Sequence, residues 1–265
     1  MAEAREHTLD GIVVREWLHP RPRCLVLLVH GYGEHIGRYE EVAGVLVAHG
    51  AAVFGPDHRG HGKSAGERVL VEDFEDVVTD VHAVAEFART AHPDVPLVVV
   101  GHSMGGLIFA RYAQRHGAGL TALVLSGPVI GDWELPRQLS ALDEIPDIPI
   151  NPAALSRDPA VGAAYAVDPL VWHGPMKRPT VESFLRTLET VAKDGDVGRL
   201  PLLWLHGDDD RLVPLSGSRP GVERLSGGVL TERIYPGARH EVFNETNRAE
   251  VFVDLTRFLD GVLGG

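Results

Sequence analysis

The chain has 265 residues, of which 44% are hydrophobic and 23% charged, and its formal net charge at pH 7 is −12. This length and composition are typical of one large globular domain with a substantial core, and the negative charge argues against nucleic acid or an anionic membrane surface as the main partner. Cys24 is the only cysteine, which excludes an internal disulfide and a thiolate metal cluster.

The amino-terminal stretch carries neither a signal nor an anchor pattern. Residues 1–7 are polar, without the apolar centre of a signal peptide. No run in the chain approaches the ~20 apolar residues of a membrane span, so we expect a cytoplasmic protein that meets a membrane only peripherally. From Thr8 to Trp17 the pattern alternates weakly around the turn dipeptide Asp10-Gly11, which predicts an antiparallel hairpin at a sheet edge.

Two strand-forming runs follow, and each ends in a glycine-rich segment. The apolar run from Cys24 to His30 predicts a buried strand, and its glycine-flanked continuation to His35 can aim backbone N–H groups into a site. A helix is predicted from Glu40 to His49 and a short strand from Ala51 to Phe54. The next segment, Asp57 to Gly62, contains possible metal ligands. Its glycines favour a tight turn and no zinc-like spacing follows, so we predict a hydrogen-bonded structural loop.

The centre of the chain has a strand, a sharp turn and a helix. After an amphipathic helix predicted from Val71 to His92, the run Leu97–Val100 has no polar alternation and predicts a parallel strand buried on both faces. Gly101-His102-Ser103-Met104-Gly105 then fits Gly-x-Ser-x-Gly, the nucleophile elbow, and a helix is predicted from Met104 to His116. Taken alone, the pentapeptide is equally compatible with an ordinary glycine-rich turn.

The alternation of strands and helices stops after a strand predicted from Thr121 to Leu125. Residues 129–198 contain eight prolines and scattered apolar residues, and only Val181 to Lys193 is predicted as a regular helix. This insertion follows the carboxyl end of a strand, where ligand sites of open α/β sheets lie, so a cap over the site is favoured over a satellite subdomain that fills space. Its apolar residues could line a pocket, contact a lipid surface transiently or pack a dimer.

Two later loops could supply an acid and a base. The buried strand predicted from Leu200 to His206 is followed by three consecutive acids, Asp208 to Asp210, which are either a solvated turn or the source of a triad carboxylate. The last predicted strand, Gly228 to Tyr235, leads to a glycine-marked loop that contains His240, before a helix predicted from Arg248 to Leu263.

Ser103, Asp210 and His240 follow one another in the chain order of the α/β-hydrolases. The predicted fold class is therefore α/β, with a mostly parallel central sheet flanked by helices. Residues 1–128 and 199–265 form the hydrolase core, and residues 129–198 form a cap, or lid. In such a hydrolase the backbone N–H groups of Tyr32 and Met104 would form the oxyanion hole.

Seven motifs spread over nearly the whole chain resemble the monoacylglycerol lipase family of serine hydrolases, particularly its actinobacterial members. They are His30-Gly31-Tyr32-Gly33-Glu34-His35, Asp57-His58-Arg59-Gly60-His61-Gly62, Gly101-His102-Ser103-Met104-Gly105-Gly106, Ser156-Arg157-Asp158-Pro159, Tyr165 with Asp168-Pro169-Leu170, His206-Gly207 with Asp210-Arg211-Leu212, and His240-Glu241-Val242-Phe243.

This resemblance implies Ser103 as the nucleophile, Asp210 rather than Asp208 or Asp209 as the acid, and His240 as the base. It further implies that four residues surround the pocket for the glycerol end of the substrate, namely Glu34, Arg38, His102 and Tyr165. Phe243 is a departure, because some members of the family carry a second histidine at that place.

The main functional hypothesis is hydrolysis of carboxylic esters, above all of monoacylglycerol to fatty acid and glycerol, with a small lipid ester as partner and no metal or organic cofactor. The alternatives are a broad short-chain carboxylesterase, a lysophospholipase, or a non-catalytic binding protein on the same scaffold. Epoxide hydrolase and haloalkane dehalogenase chemistry are disfavoured because those fold relatives use aspartate at the elbow, where this chain has Ser103.

Overall fold

The computed structural model describes residues 4–264. Eight strands are described in this range, namely β1 (Ala4–Leu9), β2 (Ile12–Trp17), β3 (Cys24–Val29), β4 (Ala51–Pro56), β5 (Leu97–His102), β6 (Ala122–Ser126), β7 (Leu202–Gly207) and β8 (Leu230–Tyr235). They form one sheet in the order β1-β2-β4-β3-β5-β6-β7-β8, in which β2 is antiparallel to both of its neighbours and all other neighbouring pairs are parallel. The predicted α/β-hydrolase architecture and the edge hairpin are confirmed.

The described part of the chain also contains eight α-helices. They are α1 (Glu40–Ala48), α2 (Phe74–Ala91), α3 (Met104–His116), α4 (Leu135–Ser140), α5 (Pro159–Val167), α6 (Arg178–Asp194), α7 (Leu215–Leu225) and α8 (Arg248–Leu263). Among residues 4–264, none of the helices combines the length and the apolar content needed to cross a bilayer.

The apolar strands are buried on both faces because a separate core lies on each side of the sheet. Alternate residues of β3 show this: Leu25 and Leu27 pack with α2 and α3, whereas Val26 and Leu28 pack with α1 and α8. An uninterrupted apolar run is therefore the expected pattern for these strands. The central position of β5, between β3 and β6, places the turn that follows it next to the loop after β3.

The prediction that Val181 to Lys193 is the only regular helix of the insertion is wrong. Helices α4 and α5 also form there, and each has a proline in its first turn, where the missing N–H costs nothing. In α5, the Asp158 carboxylate accepts a hydrogen bond from the backbone N–H of Ala160 at 3.0 Å, so Asp158-Pro159 is a helix start. The prolines that indicated irregular structure are in part helix initiators.

Residues 129–198 share most of their core with the rest of the molecule. Phe184 and Val191 of α6 belong to the core that contains α2 and α3, as does Trp133. A small cluster of Leu155, Tyr165 and Val171 is the one centred in the insertion itself, among the described residues. The insertion therefore packs against the rest of the molecule and does not form an independent core.

Helix α7 was not predicted, because its sequence contains Gly217, Pro220 and Gly221. The glycines are required by close contacts with another segment of the chain. A Cβ on Gly217 would lie 2.4 Å from the carbonyl oxygen of Asp132, and one on Gly221 would lie 2.5 Å from the backbone nitrogen of Gly131. The close approach of α7 to the start of the insertion therefore requires residues that disfavour a helix locally.

Candidate active site

Ser103 occupies a strained turn between β5 and α3, with φ 55° and ψ −117°. Few non-glycine residues adopt a positive φ, and such strain concentrates at functional sites. The flanking glycines are required by close packing: a Cβ on Gly101 would lie 2.4 Å from the carbonyl oxygen of Gly105, and one on Gly105 would lie 2.6 Å from that of Val29. The turn holds the serine hydroxyl at the carboxyl end of the sheet, beside a cavity.

His240 and Asp210 form a buried hydrogen-bonded pair, with 2.7 Å between His240 Nδ1 and Asp210 Oδ2. The other carboxylate oxygen, Oδ1, accepts hydrogen bonds from the backbone N–H groups of Leu212 and Val213, each at 2.9 Å. His206 Nε2 lies 3.3 Å from Asp210 Oδ2. The carboxylate is thereby fixed in one orientation, which fixes the histidine ring as well.

Each member of this pair influences the pKa of the other. Burial acts to raise the pKa of Asp210, but the charge of His240 and hydrogen bonds from His206 and His240 outweigh it and hold that pKa well below its usual range. For His240, burial acts to lower the pKa, and the Asp210 carboxylate outweighs burial and raises it. The arrangement stabilises a protonated imidazole, as a general base in acyl transfer needs.

The two neighbouring aspartates make other contacts. Asp208 accepts a hydrogen bond from the backbone N–H of Gly237 at 2.5 Å, and Asp209 pairs with Arg211 at 3.0 Å. Asp210 is therefore the carboxylate of this loop that contacts His240.

The cavity beside Ser103 has a volume of about 410 Å³ and is lined by Ser103, His240, Tyr32 and Met104 together. The backbone N–H groups of Tyr32 and Met104 make no hydrogen bond to any residue in the described range 4–264. Met104 is the first residue of α3, where N–H groups have no partner within the helix. Two donors are thus available beside the serine, at the positions predicted for an oxyanion hole.

Hydrogen bonds join the loop that carries Tyr32 to the segment after β4. The backbone N–H of His58 donates to His30 Nε2 at 3.0 Å, and Asp57 accepts from the backbone N–H groups of Ile36 and Lys63 at 2.8 and 2.7 Å. Residues 57–62 form the hydrogen-bonded loop that was predicted. In the range 4–264, no group of three or more potential ligands is arranged to hold a metal ion.

The four residues predicted around the glycerol end all line the cavity. Glu34 accepts hydrogen bonds from the backbone N–H of Gly31 and the hydroxyl of Tyr39, both at 2.7 Å, and pairs with Arg38. The guanidinium carbon of Arg38 lies 5.2 Å from the centroid of the Tyr165 ring. Together these side chains form a polar wall, linked by hydrogen bonds, in the cavity that Ser103 also lines.

Two pKa shifts follow from this burial and pairing. Burial acts to raise the pKa of Glu34, but the positive charge of Arg38 outweighs it and lowers the pKa to about 2. Burial and the neighbouring His240, whose ring centroid lies 4.6 Å away, lower the pKa of His102 to about 3. The wall therefore contains an ionised carboxylate and a neutral histidine at neutral pH.

Glu241, to which the sequence motifs assign no role, is also part of this wall. Its carboxylate accepts two hydrogen bonds from Arg38, at 2.7 and 2.9 Å, and it lines the cavity. Its position directly after His240 was the available signal. Phe243, where some relatives carry a second histidine, is 3% exposed and packs in the core against α8, and it is not among the cavity residues.

The rest of the cavity wall is mostly apolar and comes largely from the insertion. Side chains of this kind are Trp133, Leu135, Leu139, Ile145, Ile148, Ile150, Leu155, Trp172, Met176 and Phe184. The site thus has a polar end near Glu34 and an apolar remainder, which suits an amphiphilic molecule.

Comparison with known proteins agrees with this geometry. The sequence profile of the family described as serine aminopeptidase, S33, matches residues 20–247. The chain is 39% identical to a monoacylglycerol lipase of Mycolicibacterium smegmatis, over 96% of each protein, and 33% identical to monoglyceride lipase of Mus musculus, over 84% of this chain and 77% of the mouse protein.

Solved structures give the same result. A monoacylglycerol lipase of Paleococcus ferrophilus superposes with a TM-score of 0.82 at 27% identity, covering 95% of this chain and 99% of that one. A carboxyl esterase of Bacillus coagulans, solved with glycerol, has a TM-score of 0.83 at 26% identity and covers 99% of both chains. The resemblance to monoacylglycerol lipases indicated by the motifs is confirmed, and the chain belongs to the serine aminopeptidase S33 family of α/β-hydrolases.

Proposed function

We propose that this protein hydrolyses carboxylic esters, above all monoacylglycerols, to a free fatty acid and glycerol through an acyl-enzyme on Ser103. The observation that carries this proposal is the buried Asp210–His240 pair, which shares one cavity with a serine held at positive φ. The similarity to monoacylglycerol lipases over 96% of the chain supports the substrate class.

Acylation begins when Ser103 Oγ attacks the ester carbonyl carbon and His240 takes the hydroxyl proton. Asp210 holds the imidazole in the required tautomer and stabilises the imidazolium. The backbone N–H groups of Tyr32 and Met104 donate to the oxyanion of the tetrahedral intermediate, and one such donor is typically worth ~100-fold to 1,000-fold in rate. The intermediate collapses when the bond to the alcohol oxygen breaks, and His240 gives its proton to the departing glycerol.

Deacylation repeats these steps with water. His240 takes a proton from a water molecule that attacks the acyl carbon, and the same donors stabilise the second oxyanion. The bond to Ser103 Oγ then breaks, and the proton returns from His240 to the serine. The fatty acid is released and the enzyme is restored without any external reductant, oxidant or metal.

The two ends of the cavity divide the substrate between them. Glu34, Arg38, His102 and Tyr165 would receive the glycerol hydroxyl groups, because they form the polar wall near the serine. The apolar side chains of residues 129–198 would receive the acyl chain, which makes this insertion a cap. Leu142 and Ile148 at its front are 44% and 72% exposed, and we include transient contact with a lipid surface in the proposal.

Ser103→Ala tests the mechanism. The variant should lose turnover of mono-oleoylglycerol and labelling by a serine-directed phosphonate, whereas Ser216→Ala, at an exposed position on α7, should keep both. Normal turnover by Ser103→Ala would overturn the mechanism. Absence of labelling in the wild-type protein would favour a non-catalytic binding protein instead.

A substrate panel tests the ester class. Mono-oleoylglycerol should be turned over with a higher kcat/KM than trioleoylglycerol, lysophosphatidylcholine or a short nitrophenyl ester. The structural likeness to a carboxyl esterase makes short esters the second candidate substrate class. A preference for short soluble esters over mono-oleoylglycerol would support that second candidate.

A further inference from the structure

The polar end of the cavity, formed by Glu34, Arg38, Tyr165 and Glu241, contains more negative than positive charge. Arg38 Nη1 donates to both Glu34 and Glu241, and Arg38 Nη2 donates to Glu241 at 2.9 Å. The three side chains are 10%, 6% and 5% exposed, so water screens this group poorly. Two carboxylates around one guanidinium leave one negative charge at this end of the cavity.

Arg38 is not available to bind an anion. Both of its terminal nitrogens donate to carboxylates, and its planar group lies over the Tyr165 ring. Among the described residues that line the cavity, it is the only lysine or arginine. A phosphate group on the substrate would therefore meet two carboxylates without gaining a free cation, and its desolvation would not be compensated.

One of the two carboxylates around Arg38, that of Glu34, lies close to the reacting atoms. A Cβ placed on Gly31 would be 2.8 Å from Glu34 Oε1 and 3.2 Å from Ser103 Cβ, so the carboxylate is within about 6 Å of the nucleophile's side chain. Glu241 directly follows His240 along the chain. Both carboxylates line the same cavity as Ser103, so we expect the alcohol part of the ester to lie beside them.

We propose that Glu241 makes the polar end of the cavity net negative and thereby selects esters of uncharged or cationic alcohols against esters of phosphate-bearing alcohols. This inference rests on the proposed esterase function and concerns its leaving group. Glu241 acts here as a specificity-determining residue. The Asp210 carboxylate behind His240 adds a second negative charge, which all the variants below retain.

The test uses three esters with the same acyl chain, namely lauroylglycerol, lauroylcholine and lauroyl lysophosphatidate. Each is assayed below its micelle concentration at pH 8, where histidine side chains with ordinary pKa values are uncharged. The wild-type kcat/KM for the lysophosphatidate should be at least about tenfold below that for lauroylglycerol. One pair of elementary charges at ~10 Å and an effective dielectric constant of ~20 changes kcat/KM about tenfold, and the phosphate carries between one and two negative charges at this pH, so tenfold is a lower bound. Lauroylcholine should equal or exceed lauroylglycerol.

Glu241→Gln removes the charge and keeps the shape. It should raise the ratio of kcat/KM for lysophosphatidate to that for lauroylglycerol by at least about tenfold and lower the corresponding ratio for lauroylcholine. Glu241→Asp keeps the charge and should keep the discrimination. Glu250→Gln is the matched control, because it changes the net charge by the same amount at an exposed position on α8 and should leave both ratios unchanged.

The outcomes separate this inference from the proposed function. Turnover of none of the three esters by the wild-type protein would overturn the proposed function. Turnover of lauroylglycerol and lysophosphatidate with equal kcat/KM would leave that function standing and overturn the role of Glu241, whether or not the variants fold. Ratios in Glu241→Gln that match those of Glu250→Gln would overturn it as well.

Discussion

At the scale of single residues, the chemistry depends on how buried charges are paired. Asp210 has four hydrogen-bonding or charged neighbours, counting two backbone N–H groups and two histidines. A carboxylate held in this way stays ionised and cannot rotate, so it fixes the orientation of His240. The same principle applies to Glu34, whose low pKa depends on Arg38.

Asp210→Asn should lower kcat about 10⁴-fold, because the amide favours the wrong imidazole tautomer and does not stabilise the imidazolium. His240 must be neutral to act as a base, and its pKa is raised, so wild-type kcat/KM should fall as pH drops through a value above 6.5. In Asp210→Asn this fall in kcat/KM should occur at a lower pH than in the wild type, which pH profiles of both proteins measure.

Asp209→Asn is the control and should keep the wild-type profile. A fall at the same pH in Asp210→Asn as in the wild type would contradict the assigned pairing.

At the scale of elements, the loop that carries His240 is joined to the insertion by Glu245. Its carboxylate is fully buried and accepts hydrogen bonds from the backbone N–H groups of Arg239 and Arg157, at 2.8 and 3.0 Å, and from Arg157 Nε at 2.9 Å. The backbone N–H of Glu241 donates to Leu155 at 2.8 Å. The position of the histidine loop is therefore coupled to the position of residues 155–157.

Glu245→Gln should destabilise the protein by about 1 to 3 kcal/mol, since the buried carboxylate becomes uncharged and an amide NH₂ group replaces an oxygen that accepts hydrogen bonds from N–H groups. It should also lower kcat for short and long esters alike, because the His240 loop is less firmly held. Thermal unfolding and kcat measured below the transition check both effects. Glu41→Gln, which removes the exposed ion pair with Arg248, is the control. A loss of stability with unchanged kcat would show that the coupling does not reach His240.

Elements with strong local signals were predicted closely, and those shaped by neighbours were not. Helices α3 and α8 have the predicted bounds, whereas α2 begins at Phe74 rather than Val71, after the capping side chain of Asp73. Helix α7 was not predicted because it contains glycines, which disfavour a helix but are needed for its close contact with residues 131–132. The local sequence pattern carries no information about contacts between distant segments.

At the scale of the whole molecule, the front of the insertion leaves an apolar rim around the cavity. Leu135 and Ile148 line the cavity and are also exposed, and Leu142, two residues after the end of α4, is exposed as well. With a net charge of −12, the molecule is repelled by anionic lipid surfaces. We therefore expect the rim to favour uncharged or zwitterionic lipid surfaces.

Leu142→Asp should reduce partition to phosphatidylcholine vesicles about tenfold, because it removes one large apolar side chain from the rim and adds a charge. Val253→Asp makes the same kind of change at an exposed site on α8 and should leave partition unchanged. Sedimentation with vesicles measures both. An equal effect of the two variants would show that the rim is not the contact surface.

The sequence by itself determined the alternation of strands and helices, because strand periodicity and turn glycines are local properties. It also predicted a serine, an aspartate and a histidine as the site, because their order along the chain is read directly from the sequence. It also named four residues of the cavity wall through family resemblance. Only the tertiary structure decided that Arg38 contacts Glu241, 203 residues away, and that Glu245 joins Arg157 to the His240 loop. Such contacts depend on how loops from distant parts of the chain pack at one edge of the sheet, and local propensity carries no information about that packing.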